Sequence, residues 1–167
     1  IILSGGPASV YADGAPRSHP GLLELGVPVL GICYGMQLMA QQLGGDVSHT
    51  DVAEYGKCEL AVAGGADALD RGGLLDGTAP SQQVWMSHRD SVKTPPPGAT
   101  VVAATDTTPV AAFEDHHRRL YGVQFHPEVV HTRFGQDILK NFLYMLADAP
   151  PAWTPAAVIE EQVERIR

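Results

Sequence analysis

The stretch "VPVLGICYGMQLMAQQLGG", Val27 to Gly45, decides the fold. Val27 to Ile32 form a short apolar run with two β-branched valines and an isoleucine, which predicts a buried parallel strand. From Tyr34 the pattern changes to a helical period. Met36, Met39, Ala40 and Leu43 recur at i, i+3, i+4 and i+7, one face of a helix, and Gly44-Gly45 ends it. Strand, then Gly-Ile-Cys-Tyr-Gly, then helix is the layout of a nucleophile elbow with cysteine in place of serine. Gly31 and Gly35 are needed there because a tight strand-to-helix turn leaves no room for side chains beside the nucleophile. A thiol at a helix N-terminus also sits near unpaired backbone N–H groups and the positive end of the helix dipole, which predicts a lowered pKa for Cys33.

Working outward, Ile1 to Leu3 read as the end of a buried strand, and "SGGP" as the turn after it. The middle of the chain reads as β-structure. "GKCELAVA", "ATVVAATD" and "PVAAFE" are strand candidates, and Asp115 to Arg119 form a polar turn into "LYGVQF", a hairpin. "GQDILKNFLYMLA" is a second helix with Ile138, Phe142 and Leu146 on one face. After the proline-rich "DAPPAWTP", Thr154 is placed to cap a final helix with Pro155 in its first turn.

The bulk properties set limits. At 167 residues, 44% hydrophobic and 18% charged, the chain is the size of one globular domain. A net charge of −8 with scattered Lys and Arg argues against nucleic acid as a partner. No apolar run approaches the length of a membrane span. Two cysteines, Cys33 and Cys58, are too few for a disulfide framework, so free thiols in a reducing cytoplasm are expected. The first residues carry neither Met nor a leader, and no stop signal precedes Arg167, so the chain reads as a fragment.

A free cysteine is among the most buried residue types, so Cys33 alone reads as packing. The flanking glycines and the helix raise the nucleophile reading to equal standing, and that reading needs a base. His116 and His117 lie in a polar turn and read as solvated. His126 follows a strand-like run, with Pro127 biasing it to extended geometry. In an extended segment i and i+2 face the same way, so Glu128 projects beside His126 and can orient the imidazole. Nucleophile, base and orienting acid are then all present. A metal site on His126, Glu128 and His131 is the rival use, but it lacks established ligand spacing. Cys58, Trp85 and Trp153 read as packing residues.

The elbow and "FHPE" together resemble the class I (triad) glutamine amidotransferases. "LSGGPASVY", "GICYGMQ", "WMSHRDSV", "YGVQFHPEVVHT" and "TPAAVIEEQVERIR", in that order, are similar to the glutaminase domain of the glutamine-hydrolysing GMP synthases. The resemblance implies an α/β fold with a mixed, largely parallel central sheet flanked by helices, truncated at its N-terminus by a strand-helix-strand segment. It implies an amidotransferase domain over 1–149, with 150–167 a linker and the start of a helix leading to an absent ATP-dependent synthetase domain.

By the same resemblance Cys33 attacks the side-chain amide of L-glutamine, His126 shuttles protons and Glu128 orients it. Backbone N–H groups of Gly6 and Tyr34 form the oxyanion hole. Gln37 and the backbone from Ser87 through His88 and Arg89 to Asp90 hold glutamine. No cofactor is implied for this chain, since ATP and Mg2+ belong to the synthetase domain, where ammonia aminates XMP to GMP in a homodimeric cytoplasmic enzyme. The family pattern has glycine where this sequence has Arg89. If that backbone turned with positive φ or lay against the substrate, arginine would add strain or bulk and weaken glutamine binding, and Arg89→Gly would tighten it. A stand-alone γ-glutamyl hydrolase of the same fold and an inactive interaction remnant remain as alternatives.

Overall fold

The computed structural model describes residues 1–69, 72–151 and 162–166. Seven strands form one mixed sheet in the order β1-β2-β7-β6-β5-β3-β4. The strands are β1 (Ile2–Leu3), β2 (Val29–Ile32), β3 (Asp46–Val62), β4 (Ser81–Thr94), β5 (Thr100–Ala104), β6 (Ala112–Asp115) and β7 (Leu120–Val123). Parallel pairing is confined to β1-β2 and β2-β7, and the remaining neighbours are antiparallel. The parallel part is thus smaller than the resemblance implied, because the long β3-β4 hairpin extends the sheet by antiparallel pairing. The expected β6-β7 hairpin forms, with Arg119 at φ 59° closing its turn.

Alternation along the strands sorts the core into two layers. Val29, Phe113 and Leu120 pack with Met36 and Met39 of α1 (Tyr34–Gln42), while their chain neighbours Leu30, Ala112 and Tyr121 pack with Ile138 and Phe142. Ile138 lies in α2 (Gly135–Lys140), which continues through a π-type turn over Asn141–Leu146. The helices therefore cover opposite faces of the sheet. Phe113, Phe125 and Phe142 are fully buried, each contributing about 1.5–3 kcal/mol of burial free energy.

Helix α1 is more enclosed than a one-faced pattern predicts. Every residue from Tyr34 to Ala40 is buried. A third cluster of Val10, Tyr34 and Leu38 explains this, since the loop after β1 covers the side of the helix turned away from the sheet. The final helix expected from Thr154 lies mostly outside the described residues, of which 162–166 are helical. Trp153 also lies outside them.

The elbow glycines are required by close approach. A Cβ on Gly31 would stand 2.6 Å from the Met36 backbone nitrogen, and one on Gly35 would stand 2.1 Å from the Leu3 carbonyl oxygen. Both obstacles are backbone, which cannot rotate away. Gly35→Ala is expected to cost about 3 kcal/mol or more by prying α1 from β1. Denaturant unfolding checks this, and an unchanged midpoint would contradict the close packing of the elbow.

Candidate active site

Cys33 sits between β2 and α1 with φ 50° and ψ −105°, a conformation that a non-glycine residue adopts only where its surroundings enforce it. Two backbone bonds do so. Its N–H donates to the Val123 carbonyl of β7 at 2.8 Å, and its carbonyl accepts from Gln37 N–H at 3.1 Å as the first turn of α1. The strain places the sulfur at the C-terminal end of the parallel strands, where open α/β sheets form their sites.

The thiol is 4% exposed and contacts the Ser87 carbonyl at 3.8 Å and the Gln124 amide nitrogen at 3.7 Å. Burial pushes its pKa up to about 11. The Tyr34 backbone N–H and the Gln124 amide pull it down, and the nearby charge of Glu128 adds to the rise. The expectation of a lowered pKa is therefore overturned, because desolvating a thiolate at this depth outweighs the donors of the helix N-terminus. At neutral pH the resting sulfur carries its proton, so attack requires a base.

His126 supplies the candidate. Its Nδ1 lies 2.7 Å from Glu128 Oε1, so the pair expected from the i, i+2 spacing forms, although this segment is a turn rather than a strand. With Nδ1 facing the carboxylate, Nε2 is left for proton transfer. The segment is fastened from several directions. His126 N–H donates to the Trp85 carbonyl at 3.0 Å, and Thr132 Oγ1 donates to the His126 carbonyl at 2.6 Å. Gly135 begins α2 without a side chain because a Cβ would fall 2.0 Å from the Pro127 carbonyl oxygen.

Gly5 shows how closely Cys33 and His126 are brought together. A Cβ there would lie 3.0 Å from His126 Cε1 and 3.6 Å from Cys33 Cβ. Gly6 follows in the same turn, and a Cβ on it would reach the Tyr34 ring at 3.6 Å. The Gly5-Gly6 turn thus lies against Cys33, His126 and Tyr34 at once.

A cavity of about 390 Å³ opens beside the sulfur. Cys33, Gly6, Gln37 and the Ser87–Asp90 segment of β4 line it, so these expected substrate residues are brought together. Gln37 has a supporting role as well. Its amide nitrogen donates to the Asp90 carbonyl at 2.6 Å and to Gln124 Oε1 at 3.2 Å, tying α1 to β4 and to the segment that follows β7.

The side chains of the segment diverge. His88 turns inward to Glu54, its Nε2 at 3.0 Å from Oε2, and is 4% exposed. Arg89 stands at the exposed rim of the cavity, and its Nε donates to Tyr55 Oη at 3.1 Å. Arg89 lies in extended β4 and is not among the positive-φ residues, so the expected backbone strain does not arise. Asp90 is buried and accepts hydrogen bonds from Ser9, from Tyr11 at 2.6 Å and from His49 at 3.2 Å. Burial alone would raise its pKa, but these three donors more than offset it and hold the carboxyl below its usual range.

Several contributors were missed in the sequence. Gln124 is fully buried against the thiol, and its one signal was a polar residue inside the apolar run "YGVQF". Ser9, Tyr11, His49, Glu54 and Tyr55 had no signal, because each reaches the site only through the fold. His116, read as solvated, pairs with Glu114 at 2.7 Å and stands edge-on to Tyr121. His131 lies against the Trp85 ring with centroids 4.6 Å apart, and Cys58 packs against the core. Among the described residues no group of three His, Cys, Asp or Glu side chains is placed to hold a metal ion, and no helix is long and apolar enough to cross a membrane.

The geometry has close relatives. The family model for glutamine amidotransferase class-I matches residues 1–146. The chain is 58% identical over its whole length to a GMP synthase [glutamine-hydrolyzing] of Parafrankia sp. strain EAN1pec, covering 30% of that protein. It is 54% identical over its whole length to the protein of the same name from Streptomyces avermitilis, covering 31% of it. A solved structure from Thermoplasma acidophilum, described as one subunit of a GMP synthase, superposes with a TM-score of 0.67 at 30% identity, over 85% of this chain and 64% of that one. The chain spans about a third of the length of the curated relatives it matches. Buried cysteine elbow, histidine-glutamate pair and mixed sheet thus occur together in a sequence that the family model matches from its first residue through α2, and the chain belongs to the class-I glutamine amidotransferases.

Proposed function

We propose that the chain is the glutaminase part of a glutamine-hydrolysing GMP synthase, converting L-glutamine to glutamate and ammonia through a thioester on Cys33. The observation that carries this reading is the strained, buried Cys33 at one wall of a cavity, with His126 across Gly5 and Glu128 behind it.

The chemistry follows from the protonation states. His126 Nε2 takes the thiol proton as sulfur attacks the side-chain amide carbon of glutamine. Burial raises the thiol pKa to about 11, so the attack draws on His126 to take the proton. The amide oxygen becomes an oxyanion, to which the backbone N–H groups of Gly6 and Tyr34 donate. His126 then returns the proton to the departing nitrogen, and ammonia leaves a γ-glutamyl thioester. Water, deprotonated by His126, attacks the thioester, releasing glutamate and restoring the thiol. Glu128 holds the imidazole in one tautomer and orientation.

These steps use side chains and backbone of this chain alone. The resemblance to GMP synthases supports a synthetase domain as the consumer of ammonia, using ATP and Mg2+ to aminate XMP. It supports a homodimeric cytoplasmic enzyme in the same way. Ser87 to Asp90 and Gln37 shape the pocket for the glutamine backbone atoms.

The test is covalent labelling with a glutamine-like chloroketone, read by intact mass and peptide mapping. One adduct on Cys33, suppressed by excess L-glutamine, is expected. Labelling that glutamine does not suppress, or that falls on Cys58, would overturn the reading.

A further inference from the structure

We infer that Arg89, through its guanidinium, clamps the α-carboxylate of the amino acid that this pocket takes. The inference rests on the glutaminase reading and adds the feature that separates free glutamine from other carboxamides.

Arg89 and Asp90 are the Lys, Arg, Asp and Glu side chains that line the Cys33 cavity. The rest of the lining is neutral or, for His88, turned to Glu54. One cation and one anion match a substrate with an α-carboxylate and an α-ammonium. Asp90 is set in place by Ser9, Tyr11 and His49, which leave its charge fixed in a buried position.

Arg89 is held differently. Tyr55 stands opposite Ser87 across the β3-β4 ladder, and Arg89, two residues on, emerges on the same face as Ser87. Tyr55 Oη accepts from Nε. No other hydrogen bond engages the guanidinium among the described residues, so both terminal NH2 groups remain to donate. A guanidinium tethered through Nε presents those two groups as a fork matched to a carboxylate.

The consequence is selectivity. Backbone groups of Ser87 to Asp90 can bind any amide-bearing chain, whereas the fork rewards only a free α-carboxylate. Glutamine within a peptide, or a γ-carboxamide without the carboxylate, forfeits it. Arginine at this position is thereby a gain in recognition, the opposite of the weakening that the departure from glycine suggested.

The experiment measures kcat and KM of the full-length protein for L-glutamine and for 4-aminobutanamide, which lacks the α-carboxylate. It compares the native protein with Arg89→Gly, Arg89→Lys and Tyr55→Phe. Arg89→Gly is expected to raise KM for glutamine by about tenfold or more, the size of one charge-assisted hydrogen bond, with the loss falling on KM. The carboxylate-free substrate should be handled alike by both proteins, and Arg89→Lys should recover part of the loss. An unchanged or lower KM for glutamine, or an equal loss on both substrates, would overturn the clamp while leaving the glutaminase reading intact. A native protein that hydrolyses no glutamine would overturn that reading instead. Calorimetric binding of L-glutamine then decides the clamp: binding weakened by Arg89→Gly supports it, and equal or absent binding overturns it.

Discussion

Cys33→Ala is expected to lower glutamate release from glutamine by roughly 10⁶-fold, the size of effect seen when a triad nucleophile is removed. No other thiol can substitute. Cys58 lies in β3 among core residues and does not line the Cys33 cavity. The cavity and the proposed oxyanion donors remain, so glutamine should still bind while turnover stops. The fold should survive, because alanine occupies the same strained position with less bulk, and the lost sulfur contacts cost about 1 kcal/mol. Circular dichroism and a thermal melt establish that the variant is folded, and an ammonia-release assay then reads the chemistry. Turnover retained in a folded Cys33→Ala protein would remove the thioester from the mechanism.

Glu54→Ala is expected to cost about 3–5 kcal/mol of stability, although Glu54 does not line the Cys33 cavity. Its carboxylate accepts from Thr105 at 2.6 Å, from Thr107 and Thr108 at 2.5 Å each, and from His88 at 3.0 Å. Removing it leaves four donors without an acceptor around one small void. The site is affected as well, since β3 and β4 slip in register between His49 and Glu54, opposite the pocket-lining segment of β4. There the ladder is replaced by two tethers: Thr50 Oγ1 donating to the Arg89 carbonyl at 2.8 Å, and His88 to Glu54. Urea unfolding should give a markedly lower midpoint.

The same carboxylate predicts a pH dependence. Burial alone would raise the pKa of Glu54, but the four donors more than offset it and lower it from 4.5 to about 2. A pKa lower in the folded state than in the unfolded one contributes stability that is fully present above about 4.5. That contribution is lost as pH falls towards about 2. Glu54→Gln removes the titration, so its unfolding free energy should fall less steeply below pH 4.5 than that of the native protein. Identical acid limbs in the two proteins would show that Glu54 carries none of this linkage.

Much of the candidate site could be read from local spacing. The elbow was legible because Gly31, Cys33 and Gly35 lie within one turn, and the obstacles to a side chain there are the backbone of the elbow itself and of β1. The His126–Glu128 pair was legible because two residues across a proline leave few relative orientations. Gln124, just past β7, and Tyr55 in β3 were not, since a polar residue in or beside a strand has no chemical role until its neighbours across the sheet are known. The extent of antiparallel pairing also escaped the sequence, because β3 is a 17-residue strand whose interior breaks the alternation by a register shift.

Local chain geometry thus determined, from the sequence by itself, the strand-cysteine-helix elbow, its two obligatory glycines and the histidine-glutamate pair. Only the tertiary structure decided that Gly5 joins Cys33 to His126, that Arg89 and Asp90 face one cavity, and that the resting thiol keeps its proton. These depend on burial and on groups from distant strands. Desolvation is a property of the space around an atom, and that space exists only once the chain has packed.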